Sequence, residues 1–225
     1  VTPVLTQRRS GRAVGRKAGL TLQQIIEAAR SLDPDELTMQ ALANRLGVDR
    51  KAINHHVSDR GTLTSLVAMD AFSSSFSAVE IGEDTSWQEA CRSYAHGFAD
   101  SAIATGPFAE YIQLTDPYVT TVLEPTEAVL AKMVDAGFDP ETAMRSLSLL
   151  SNICLAYARD ITLRQRTGVA PRAEILEGAL ESRDAEKLPT LATITELPVD
   201  TYDRRQLEIS IQIHISGTES LLGAR

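Results

Sequence analysis

Between Arg50 and His56 the chain places Arg50, Lys51, Asn54, His55 and His56, five side chains that donate or accept hydrogen bonds. Arginine and lysine match the O6 and N7 edge of guanine, and asparagine matches the N6 and N7 edge of adenine. A good bidentate pair of that kind contributes about 1–3 kcal/mol of base discrimination. The chemistry these residues offer is therefore hydrogen bonding to base edges and phosphates. His55 and His56 are not a metal pair, because adjacent residues on a helix diverge by about 100° and do not chelate one ion. No metal and no cofactor is expected.

Side chains that read a surface need a rigid element to aim them. Thr38 suits an N-cap, since its hydroxyl can accept a free N–H of the first helical turn. Met39, Leu42, Ala43 and Leu46 then recur at helical spacing. Gly47 ends that helix where a left-handed residue is wanted, and Asp49 is placed to cap the next one. The second helix, about 50–57, buries Ile53 and Val57 and leaves Arg50, Lys51, Asn54, His55 and His56 outward. Two helices joined this tightly form a helix-turn-helix pattern, whose second helix lies in the DNA major groove. Upstream, Leu22, Ile25, Ile26 and Ala29 make a further amphipathic helix behind Thr21. Downstream, Ser58-Asp59-Arg60 starts a helix carrying Leu63, Leu66, Val67 and Met69.

Charge distribution agrees with a nucleic-acid partner. Residues 1–60 carry 10 Lys/Arg against 6 Asp/Glu, or +4, and the rest 12 against 24, or −12, giving the total of −8. A basic head on an acidic body suits DNA, because phosphate contact depends on the local field. Arg8, Arg9, Arg12, Arg16 and Lys17 form a basic arm; Arg12, Arg16 and Lys17 are candidates to touch phosphates or enter a minor groove. A hydrophobic share of 43% and 225 residues allow a full core. The absence of a long apolar run argues against a membrane span, and Val1 to Lys17 lacks the apolar block of a secretory signal, so a cytoplasmic protein is expected. Cys91 and Cys154 sit in apolar helical patterns and are expected as buried thiols.

Helices are expected at about 21–32, 39–46, 50–57 and 60–78, then from Trp87 to about Thr105, from about 119 to 136 with a kink or split at Pro125, and at about 140–164. A shorter segment between Gly106-Pro107 and Asp116-Pro117 holds Phe108, Tyr111 and Ile112. Residues 165–200, with Pro171, Pro189 and Pro198, offer a short charged helix around 172–182 and are expected to be the most variable part of the body. In the last segment Ile209, Ile211, Ile213 and Ile215 alternate as in a strand, whereas Leu207, Ile211, Ile215, Thr218 and Leu222 keep helical spacing. Without a partner strand elsewhere, a helix is favoured. The fold class is all-α, with a basic arm over 1–19, a three-helix head over 20–66, a connector helix at about 60–78 and a larger helical domain over 79–225.

Leu37 to Leu66, LTMQALANRLGVDRKAINHHVSDRGTLTSL, resembles the DNA-binding head of the tetracycline-repressor (TetR) family. The family's features fall at Thr38, Ala41 to Val48, Arg50 to Val57 and Arg60. The resemblance continues at Ser86-Trp87-Gln88-Glu89, Phe98, Thr115-Asp116-Pro117, Ala136-Gly137-Phe138 and Leu147-Ser148, covering most of residues 20 to 165. It implies that Gln40 can reach a base and that Thr38 and Arg60 anchor the backbone. Asn54 stands where most members have tyrosine, so it either reads a base or contacts the backbone. The resemblance further implies a homodimer formed through the 140–164 and 203–222 helices, a palindromic operator, and release by a small organic effector, as a repressor.

Effector contacts can be carried over from the tetracycline-binding members position by position. Phe98, Thr115 and Pro117 are retained; Tyr94 replaces an asparagine, Phe76 a histidine, and Ile112 the histidine that ligates drug-bound magnesium. Asp160 falls near the family's acidic residue. These changes argue against a magnesium–tetracycline effector and for a flattish organic molecule, with Tyr94, Thr115 and Asn152 as sparse polar groups. The alternatives are a constitutive DNA-binding or docking module and an all-helical enzyme. Against the enzyme, His55, His56, His96 and His214 fall in no recognisable catalytic motif.

Overall fold

The computed structural model describes residues 19–113, 122–181, 187–197 and 199–222, and among these there is no β-strand. Helix α1 (Leu22–Arg30) begins in a reciprocal cap: Thr21 accepts from the Gln24 amide, and the Gln24 side chain accepts from the Thr21 amide. Helix α2 (Met39–Leu46) is capped by Thr38, which accepts from Ala41 at 3.0 Å. It ends at Gly47, whose φ of 63° lies in the left-handed region, and Val48 folds back to donate to the Ala43 carbonyl. Helix α3 (Arg50–Asn54) is shorter than the expected 50–57, because His56 and Val57 both donate to the Ile53 carbonyl and the chain tightens into a turn. Asp49 holds the N-cap position of α3, but its side chain makes no capping bond.

Helix α4 (Arg60–Phe76), capped by Asp59, joins head to body. Its first half buries Leu63 and Val67 and packs on α1; its second half buries Phe72 and Phe76 and packs on α5 (Trp87–Ala104). Buried residues of the head and body form one continuous cluster through this helix. At Gly97 of α5 the end of the connector comes very close: a Cβ there would lie 2.4 Å from Val79 Cγ2, so only glycine admits the contact.

A 3-10 helix (Gly106–Tyr111) follows α5; of the expected 119–136 element the structure describes α6 (Leu123–Asp135), and 119–121 lie outside the described residues. Pro125 neither kinks nor splits it. It is the third residue of the helix, where its missing N–H has no intrahelical acceptor to lose. Helix α7 (Pro140–Thr167), capped by Asp139, runs three residues beyond the expected end at 164 and stops at Gly168. Helices α5 and α7 form the broadest helix pair of the body. Helix α8 (Pro171–Glu181) was anticipated; α9 (Pro189–Thr195) was not. Helix α10 (Arg204–Glu219) resolves the ambiguity of the last segment: Leu207, Ile211, Ile215 and Thr218 are buried, while Ile209 and Ile213 face outward. Cys91 and Cys154 are free and buried, and desolvation pushes both thiols up to about 12.

Candidate functional site

Helices α2 and α3 set a small exposed polar surface on a buried support. Leu42 and Ala43 of α2 and Ile53 of α3 are fully buried or nearly so, and Val57 closes the turn behind them. On the opposite side Arg50, Lys51, Asn54, His55 and His56 are all exposed. Thr38 and Gln40 are exposed at the start of α2, where Thr38, Gln40, Arg50 and Arg60 border one shallow depression. The Gln40 amide donates to Asn44 Oδ1 one turn on, at 2.9 Å. The Thr38 oxygen accepts within its own helix, which leaves the hydroxyl proton available as a donor.

Arg60 has a different setting from the others. Its Nε donates to the Leu37 carbonyl at 2.7 Å and its Nη2 to the Pro34 carbonyl at 2.6 Å, so the guanidinium braces the loop between α1 and α2. Arg12, Arg16 and Lys17 lie outside the described residues.

The residues expected to contact an effector separate into groups. Phe76, Tyr94 and Phe98 meet in one buried cluster with Phe72: the Phe72 and Phe98 ring centroids are 4.8 Å apart, and Phe76 meets Tyr94 edge-on at 5.2 Å. Tyr94 shares a hydrogen bond with Ser151 at 3.0 Å, and burial pushes its phenol upward. Ile112 is buried beneath the end of the 3-10 helix. Thr115 and Pro117 lie outside the described residues. Asn152 is exposed on α7, apart from the buried residues of that helix.

Asp160 is elsewhere again. It pairs with Arg172 and lines a cavity of about 560 Å³ bounded by α7, α8, α9 and the start of α10. None of the other described effector candidates lines that cavity. Sequence reasoning passed over its walls, although the apolar Leu176, Ile194, Leu197 and Val199 recur within the proline-punctuated stretch.

Residues 82–222 match the family model for the tetracyclin repressor-like C-terminal domain. The chain belongs to the TetR family. Solved structures agree along its length. This TetR chain superposes on the Streptomyces coelicolor TetR-family protein ActR in complex with actinorhodin, with a TM-score of 0.72 and 25% identity, covering 92% of this chain and 100% of that one. A TetR transcriptional regulator from the same organism gives a TM-score of 0.63 at 23% identity over 90% of this chain and 99% of that one. A TetR variant from Acinetobacter baumannii in complex with minocycline gives 0.63 at 19% identity over 91% and 99%. No curated protein matches by sequence. TetR regulators are DNA-binding proteins and not enzymes, and the all-helical fold is that of a transcriptional regulator. Among the described residues no helix is long and apolar enough to cross a membrane.

Proposed function

We propose that this TetR protein is a repressor that binds a two-fold symmetric operator as a homodimer and leaves it when a small organic molecule enters the helical body. The observation that carries this reading is the α3 surface, where Arg50, Lys51, Asn54, His55 and His56 are exposed on an element held from behind by buried Ile53. In this reading residues 20–66 are the DNA-binding head and 79–225 the effector and dimerisation domain. Arg50, Lys51 and Asn54 reach base edges, Gln40 reaches a flanking base, and Thr38, His55 and His56 hold phosphates. Arg12, Arg16 and Lys17 add sequence-independent attraction.

Support for the dimer comes from α7 and α10, which pack together and turn Met144, Leu149, Ile209 and Ile213 outward. Ile213 is 68% exposed and Leu149 56%, an apolar stripe that a second copy would cover. That relatives hold actinorhodin and minocycline supports a small organic effector.

The test is selection of bound duplexes from a random library by the purified protein, followed by affinity against salt. A symmetric site with half-sites about one helical turn apart is expected, with steep salt dependence. Replacing Arg50 and Asn54 together by alanine should erase preference for that site while leaving salt-sensitive binding to any duplex. If no site is enriched by folded protein, or the double variant keeps its preference, the reading is wrong.

A further inference from the structure

The cavity beside Asp160 has the size and lining of a site for a drug-sized molecule. About 560 Å³ falls within the range of roughly 300–1,000 Å³ typical of such pockets. Its apolar walls come from four different segments: Ile153 and Tyr157 of α7, Leu176 of α8, Ile194 of α9 and Leu197 beyond it. The volume is half open to solvent, with Ile194 and Leu197 still 43% and 53% exposed, but walls from separate helices are not the groove of a single amphipathic face.

The charges around it are unbalanced in one direction. Two carboxylates, Asp160 and Glu177, face one guanidinium, Arg172. Arg172 is already engaged, since it pairs with Asp160 and lies 4.5 Å above the Tyr202 ring centroid. The charged residues flanking the cavity's Thr201 are engaged too: Asp200 with Arg164 at 2.7 Å, and Arg204 with Asp100 at 2.5 Å. Glu177 is exposed and, among the described residues, has no hydrogen-bond or ion-pair partner. An anion entering here would meet two carboxylates and an Arg172 whose charge is already shared with Asp160. A cation would meet the uncompensated Glu177 carboxylate, which favours positive charge.

We propose that this cavity binds a lipophilic molecule carrying a single positive charge, its apolar body against Ile153, Leu176 and Ile194 and its cation toward Glu177. Its identity with the releasing effector rests on the regulator reading above. The site is separate from the Phe72–Phe76–Tyr94–Phe98 cluster, whose rings fill one another's space.

The experiment uses two probes of nearly the same shape and opposite charge, tetraphenylphosphonium and tetraphenylborate, titrated calorimetrically into the full chain. Phosphonium is expected to bind and borate to bind at least about tenfold more weakly. Glu177→Gln, a change at an exposed carboxylate with no hydrogen-bond or ion-pair partner to lose among the described residues, should weaken phosphonium by about three- to tenfold and leave borate unchanged. Ser210→Trp should abolish binding by filling the cavity, with its fold checked by circular dichroism, while Phe98→Leu should leave phosphonium affinity unaltered. Equal binding of the two ions, or phosphonium affinity indifferent to Glu177→Gln, overturns the proposal. If phosphonium binds as described but operator affinity does not fall, the cavity assignment stands and the release reading fails.

Discussion

Arg166, in the last turn of α7, reaches across to Asp35 in the head at 3.0 Å and holds Glu110 of the 3-10 helix at 3.2 Å with its other amino group. One side chain of the body thus ties the loop that precedes the reading surface to the element that follows α5. Arg166 is 34% exposed and Asp35 69%, so the bond is screened and contributes on the order of 0–1 kcal/mol. Arg166→Ala should accordingly lower the melting temperature by no more than about 2–4 °C. It should speed amide exchange in residues 33–37, read by mass spectrometry. Asp35→Asn should do the same, and the two changes together should add nothing further. Unaltered exchange in both variants would dismiss the tether.

Arg60 gives a prediction that separates bracing from DNA contact. Removing its guanidinium strands the Leu37 carbonyl, while the Pro34 carbonyl keeps the Leu37 N–H, a loss of about 1–3 kcal/mol. Arg60→Ala should therefore shift the urea midpoint downward, and Arg60→Lys should recover only part, since one ammonium cannot reproduce a planar fork. The slope of log affinity against log salt should stay as in the parent protein. A slope reduced by about 1.8 would instead count one lost phosphate contact in each of the two copies on the operator, at about 0.9 apiece.

The outward stripe on α7 and α10 predicts a mass. Ile213→Glu and Leu149→Glu each put a carboxylate on it, and each should shift the protein toward monomer in sedimentation velocity without loss of helical signal. Operator affinity should fall with protein concentration more steeply than in the parent. A dimer untouched by both changes would place the interface elsewhere, and a monomeric parent protein would end the dimer reading.

His214 supplies a pH dependence. It is buried on α10, where its Nε2 lies 3.2 Å from Ser146 Oγ and 3.5 Å from Thr218 Oγ1, and burial holds the imidazole below its ordinary 6.5. The unfolded chain then takes up a proton at a higher pH than the folded one. Stability from this group is complete above about 6.5 and is lost as pH falls through the depressed value in the fold. Melting temperatures measured from pH 7.5 to 5 should decline through this interval, and His214→Asn should flatten the decline. The carboxylates lowered by hydrogen bonding, such as Asp59 and Asp200, act only at more acid pH and leave the comparison clean.

Local signals were legible wherever one residue type settles one geometry. Thr38, Gly47, Asp59 and Ser86 terminate helices as their side chains or lack of one require. The tie between strand and helix in residues 204–219 was broken by spacing: the residues four apart share the buried face, and the alternating isoleucines do not. Pro125 misled because proline is read as a breaker, and its effect depends on a position within the helix that the pattern does not fix. The exposed polar face of α3 was legible because it lies within one short stretch of chain. The cavity was not, since α7, α8, α9 and α10 contribute to it from positions spread between 153 and 210, and only packing brings them together. Aromatic residues at helical spacing carried no such information, because Phe76 and Phe98 look alike in sequence whether they face a ligand or one another.

The contact of Val79 with Gly97 fixes the depth at which the body end of α4 is seated. From there to Arg60 the helix is an arm of about 26 Å, at 1.5 Å per residue over its 17 residues. A tilt of about 5° around that seat carries the head end by about 2 Å, and two copies tilting oppositely change their spacing by about 4 Å, against a helical repeat of about 34 Å. A methyl group added at position 97 would move the fulcrum itself, and every displacement at the reading surface would be measured from a different origin.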